Sequence, residues 1–133
     1  MDYKTSWLIE NEVVLMTPLG NLSIPDGVKM LKSASALIDQ SPQEKVAVIA
    51  DITKLASSQR SVVEIFRMYK DNRSPKWGFT VIIGEKDLKR IIAQAVLQTA
   101  RVDVRFAKTI DEALQVLYRV IPQLEGKAVN IPD

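Results

Sequence analysis

The chain has no cysteine and no histidine among its 133 residues. The first absence excludes disulfides, thiolate metal sites and cysteine nucleophiles. The second removes the commonest general base and the commonest metal ligand. Any catalysis would rest on carboxylates, lysines, tyrosines or hydroxyls, and no paired-carboxylate spacing nominates such a site. No cofactor and no metal are expected. Only 5 glycines are present, and they build neither Gly-x-Gly-x-x-Gly nor a Gly-Lys-Ser/Thr phosphate loop. No apolar run approaches the length of a membrane span. Met-Asp-Tyr-Lys-Thr-Ser at the start lacks a basic stretch followed by an apolar core, so a cytoplasmic protein is the expectation.

Hydrophobic residues make up 47% of the chain, enough for a real core and too many for a disordered chain of high charge. The length suits one domain, expected over 1–126, with a short tail at 127–133. The net charge of +2 is unevenly spread. Residues 1–59 hold 5 basic and 7 acidic groups, residues 60–108 hold 11 and 5, and residues 109–133 hold 2 and 4. The basic middle third includes Arg60, Arg67, Lys70, Arg73, Lys76, Lys86, Lys89 and Arg90. Solvated helix faces explain it better than a nucleic-acid surface, because no aromatic residues interleave with the charges.

Residues 46–68 organise the rest. Val46-Ala-Val-Ile-Ala is a continuous apolar run that predicts a strand buried on both faces, and Asp51 is expected where it surfaces. Before it, Trp7-Leu-Ile and Val13-Val-Leu-Met-Thr17 flank the polar turn Glu10-Asn-Glu and predict an antiparallel hairpin. Ser23-Ile-Pro-Asp26 opens a helix whose inner face carries Val28, Leu31, Ala34 and Ile38. After the central strand, Val62, Ile65, Phe66 and Tyr69 share a helical face, with Glu64 placed to pair with Arg60 or Arg67. A strand at 77–83, a helix with Leu88, Ile91, Ile92, Ala95 and Val96 inward, and an edge strand at 102–106 follow. Thr109-Ile-Asp-Glu112 is a capping box for a last helix stopped by Pro122 and Gly126. Alternation after the hairpin predicts an α/β domain: a mixed, mostly parallel sheet with helices packed on it.

Loops at the carboxyl ends of such strands are where binding sites form. Asp51 invites comparison with a phospho-accepting aspartate, but the first strands end in no acidic pair able to hold magnesium. A turn aspartate accepting backbone N–H bonds suits Asp51-Ile-Thr53 better. Ser57, Ser58 and Ser61 are candidate phosphorylation sites, since phosphate at a helix start would change the charge of an exposed surface. N-capping is the simpler role for them. Gly84 is expected as a plain turn. Trp7, Trp77, Met16, Met30 and Met68 are expected as packing residues.

With these elements in place, the chain resembles the STAS-like superfamily, which includes the bacterial anti-sigma factor antagonists. The resemblance spans about residues 7–121 and rests mainly on element order. Its best local match is Asp51-Ile52-Thr53-x-Leu55, similar to the family's Asp-Leu-Ser-x-Val. Antagonists continue with Asp-Ser-Ser/Thr-Gly-Leu, where this chain has Gln59-Arg60-Ser61-Val62-Val63. Ser61 keeps a hydroxyl, while the acidic residue, the adjacent serine and the glycine are missing. The resemblance implies a diverged, noncatalytic regulatory module. Its expected partner is a protein, bound through Asp51, Thr53, Ser57, Ser58, Arg60, Ser61, Glu64 and Arg67. A small apolar ligand or lipid is the alternative, and a homodimer through an edge strand or helix face is a further candidate arrangement. Neither a nucleic acid partner nor a membrane span is expected.

Overall fold

The computed structural model describes residues 2–55, 64, 67–69, 71–84 and 104–132. Among these, five strands form one sheet in the order β1-β2-β3-β4-β5: β1 (Tyr3–Ile9), β2 (Val13–Pro18), β3 (Val46–Asp51), β4 (Trp77–Ile83) and β5 (Val104–Ala107). The β1–β2 pair is antiparallel and every other pair is parallel. Helix α1 (Ile24–Gln40) joins β2 to β3, and α2 (Ile110–Val120) follows β5 before a short 3-10 turn, Pro122–Leu124. Glu64, Arg67, Met68, Tyr69, Asp71 and Asn72 are helical residues between β3 and β4. The predicted helical face of Val62, Ile65 and Phe66, Lys70, and the helix expected around Leu88–Val96 lie outside the described residues.

The sheet has two buried faces, and the period of two along each strand sorts side chains between them. On one face, Val14, Met16, Val46, Val48, Ala50 and Ile82 pack with Leu31, Ala34 and Ile38 of α1 and with Tyr69. On the other, Val13, Leu15, Ala47, Ile49, Val81 and Ile83 pack with Ala113, Leu114 and Leu117 of α2. All six residues of β2 and of β3 are buried, as expected of strands covered on both sides.

Local signals set the ends of these elements. The hairpin closes through Glu12 N–H donating to the Ile9 carbonyl (2.9 Å), with Asn11 left-handed at φ 63. Asparagine tolerates that region better than most residues. Ser23 caps α1, its hydroxyl accepting from Asp26 N–H at 3.2 Å. Thr109 caps α2 in the same way, accepting from Glu112 N–H at 3.1 Å, while Glu112 Oε2 accepts from Lys108 N–H. Such caps satisfy amides that have no partner within the helix.

Two details depart from the sequence reading. Strand β1 starts at Tyr3 instead of Trp7, because Tyr3, Thr5 and Trp7 alternate inward while Lys4 and Ser6 are exposed. The buried stripe of α1 centres on Met30, Leu31 and Ala34, leaving Val28 at its flank. The tail, for its part, packs beside the sheet. Asn130 N–H donates to the Leu8 carbonyl at 2.7 Å, and Lys127 pairs with Glu12 at 2.8 Å. The tail therefore follows the outer edge of β1, covering part of the row of backbone groups that an edge strand exposes.

Candidate functional site

The carboxyl ends of the parallel strands are built around Asp51. It is the last residue of β3, pairs with Ile83 of β4, and is only 8% exposed. Its Oδ1 accepts from Thr53 N–H at 3.0 Å and from the Thr53 hydroxyl at 2.6 Å. This is an Asp turn in which one carboxylate oxygen fixes the next two residues. Burial continues one residue past the strand to Ile52, so the chain surfaces at Thr53 instead of at Asp51. Gly20 N–H donates to the Lys54 carbonyl at 3.1 Å, and Gly20 bridges Leu55 in parallel, tying this loop to the exit of β2. Gly84 packs against Ile52 more tightly than a plain turn requires. A Cβ there would lie 3.1 Å from Ile52 Cγ1.

Beside this loop is a groove of about 410 Å³, lined by residues of β1 together with Thr17, Ser33, Lys54 and Pro132. Thr5 Oγ1 and Ser33 Oγ are 2.6 Å apart and hydrogen-bonded across it, linking β1 to α1. Lys4 and Lys54 are both exposed, and neither has an ion pair among the described residues.

Of the residues expected to bind a partner, Thr53 is exposed beside Asp51. Arg67 Nη1 lies 2.9 Å from Glu64 Oε1, with the Arg67 side chain 53% exposed. This is the (i, i+3) pairing anticipated from spacing. The expectations for Ser57, Ser58, Arg60 and Ser61 fall outside the described residues. Three described cations from the basic middle third are engaged within the chain. Arg67 pairs with Glu64, Arg73 lies 5.4 Å from the centre of the Tyr69 ring, and Lys76 Nζ donates to the Ser41 carbonyl.

Sequence reasoning missed the polar cluster at the opposite, amino end of the strands. Ser35 Oγ donates to the Asn72 carbonyl at 3.0 Å and accepts from Ser74 N–H at 2.9 Å. The Ser74 hydroxyl donates to Asp39 Oδ1, and Ser41 Oγ donates to the Asn11 carbonyl at 2.6 Å. Nearby, Tyr69 is buried and stacks edge-on against Trp77, whose Nε1–H donates to Thr80 Oγ1. The Tyr69 hydroxyl makes no hydrogen bond among the described residues. Burial pushes its pKa above the ordinary tyrosine value, against the pull of Arg73 and Thr80. The groove lysines were missed too. The only local signal was the polar run Lys4-Thr5-Ser6 ahead of an apolar strand.

The chain matches no family model and no curated protein. Among solved structures it is similar to an uncharacterized protein from the DUF3478 family with a SpoIIAA-like fold, from Shewanella loihica PV-4. The likeness has a TM-score of 0.61 and covers 86% of this chain and 91% of that one, at 15% identity. The fold is SpoIIAA-like. That is the STAS-type architecture the element order implied, and at this identity the likeness concerns fold alone. Among the described residues, no helix is long and apolar enough to cross a membrane, and no three carboxylates gather as a metal site.

Proposed function

We propose that this chain is a noncatalytic, cytoplasmic regulatory module that binds a protein partner through the loop after Asp51 and the helical residues that follow. The observation that carries this reading is the Asp51 turn. Its carboxylate is held by Thr53, which favours a positioning role over reaction chemistry. The turn and the Gly20–Leu55 bridge hold Thr53 and Lys54 exposed at the sheet's carboxyl edge. A loop fixed in this way binds without first losing conformational freedom, which favours recognition. Arg67, exposed and oriented by Glu64, supplies a charge for partner carboxylates, and Arg60 belongs to the same proposed surface. Ser57, Ser58 and Ser61 would be the positions at which phosphorylation regulates it.

The test is a tagged pull-down from the native cytoplasm, comparing the wild-type chain with Arg60→Glu plus Arg67→Glu. A stoichiometric partner lost on charge reversal supports the reading. Thermal unfolding should change little, since placing like charge beside Glu64 costs about 0.5 kcal/mol on a helix surface. Unchanged partner affinity in the double variant rejects it.

A further inference from the structure

We propose that the groove between β1, α1 and the loop after β3 is a second binding site, specific for a phosphate-bearing anion. This does not rest on the partner-binding reading, although the two share Lys54 and the loop after β3. Four features of the groove point to an anion. Lys4 of β1 and Lys54 of the loop after β3 both line it, and neither is neutralised by a carboxylate among the described residues. Among the described residues, none that line it is acidic. Thr5 and Ser33 add two hydroxyls on the α1 face, with Ser6 and Thr17 lining it from strand positions of the opposite pleat. In the Thr5–Ser33 pair one hydroxyl donates to the other, so a second O–H remains to donate outward. Ammonium and hydroxyl donors with no competing acceptor charge are the chemistry that holds phosphate oxygens.

The groove is assembled by the fold and is not a chance dent in a loop. Lys4 pairs in register with Thr17 across the β1–β2 ladder, while Lys54 is placed by its backbone bond to Gly20. The Thr5–Ser33 bond fixes the distance from β1 to α1. Pro132 supplies part of the wall because the tail is pinned along β1 by Asn130 and Lys127. The volume, about 410 Å³, lies within the range of small-molecule sites. Its position, beside the carboxyl ends of β2 and β3, is where open α/β sheets bind ligands.

A phosphate group reaches such a site either on a free small molecule or on a lipid headgroup, and the probes separate the two. The full chain is titrated with inorganic pyrophosphate by calorimetry, and sedimented with phosphatidylcholine vesicles with and without phosphatidic acid. Saturable pyrophosphate binding assigns a free phosphate compound. Retention on phosphatidic acid vesicles without pyrophosphate binding assigns a headgroup. In either case Lys4→Gln plus Lys54→Gln should weaken binding by about tenfold or more, as loss of charge-assisted hydrogen bonds requires. Lys108→Gln plus Arg119→Gln, which removes equal charge from exposed positions outside the groove, should leave it intact. Amide chemical shifts of Thr5, Thr17 and Ser33 should move on titration. Binding to neither probe, equal loss in the control pair, or shifts confined to other residues would overturn the proposal.

Discussion

At the amino ends of β3 and β4, Ser35, Asp39, Ser41, Ser74 and Lys76 form a chain of hydrogen bonds that ties α1 to the turn before β4. At the carboxyl ends, Asp51 satisfies Thr53 and Gly20 satisfies the Lys54 carbonyl, yet the Lys4 and Lys54 ammonium groups find no carboxylate among the described residues. The two ends belong to one sheet with one core, so the contrast is not one of packing quality. A closed polar network adds stability and leaves nothing to offer a ligand. An end with fixed backbone and unpaired side-chain charge sacrifices little stability and retains binding capacity.

The sharpest way to break the comparison is Ser35→Ala. It strips the buried Ser74 amide of its acceptor and the Asn72 carbonyl of a donor, which should cost about 2 kcal/mol in urea unfolding. A loss below about 0.5 kcal/mol, the range of an ordinary surface change, would mean that the network contributes little. At the other end, Asp51→Ala should cost about 1 kcal/mol through the lost turn bonds, whereas Asp51→Asn keeps an Oδ1 acceptor and should retain most of that stability. If the two Asp51 variants unfold alike, the turn is not what holds the loop.

How far these regions could be read from sequence differs for a physical reason. The run Val46-Ala-Val-Ile-Ala announces β3 because burial on both faces forbids polar residues, a constraint written into consecutive positions. Ser23 and Thr109 were readable because a cap bonds three residues ahead. The first half of β1 was not, since an edge strand tolerates Lys4 and Ser6 facing water. Ser35 gave no local sign, because its partners Asn72 and Ser74 are 37 and 39 positions away. Lys54 acquires its meaning only when β1, α1 and the tail converge around it. The Asp51 turn was legible from Asp-x-Thr, while the engagement of Arg73 with Tyr69 and of Lys76 with the Ser41 carbonyl was not.

Tyr69 is the exception within the closed end, a buried hydroxyl with no hydrogen-bond partner among the described residues. Tyr69→Phe removes that unsatisfied group while keeping the edge-on contact with Trp77, so neutral-pH stability should hold or rise by up to about 1 kcal/mol. The folded-state pKa is raised, so the unfolded chain releases its proton first as pH climbs. Stability from this group is complete below the unfolded tyrosine value, about 10, and is lost as pH rises through the folded one. The wild type should therefore destabilise more steeply than Tyr69→Phe above that point, measured by urea midpoints across the alkaline range. Parallel curves would show that the hydroxyl is hydrated or bonded in solution.

The smallest expected effect tests the open end most directly. Lys4→Gln plus Lys54→Gln removes two exposed ammonium groups that make no ion pair among the described residues, so stability should change by no more than about 0.5 kcal/mol. Bringing two like charges to one groove is mildly unfavourable, and the sign of any change should be stabilising at low ionic strength and fade with added salt. Such a gain would mean that the fold retains an electrostatic cost at the groove, which an anion would relieve. A clear loss of stability, about 1 kcal/mol or more, would show instead that the lysines serve the fold as the serines at the other end do.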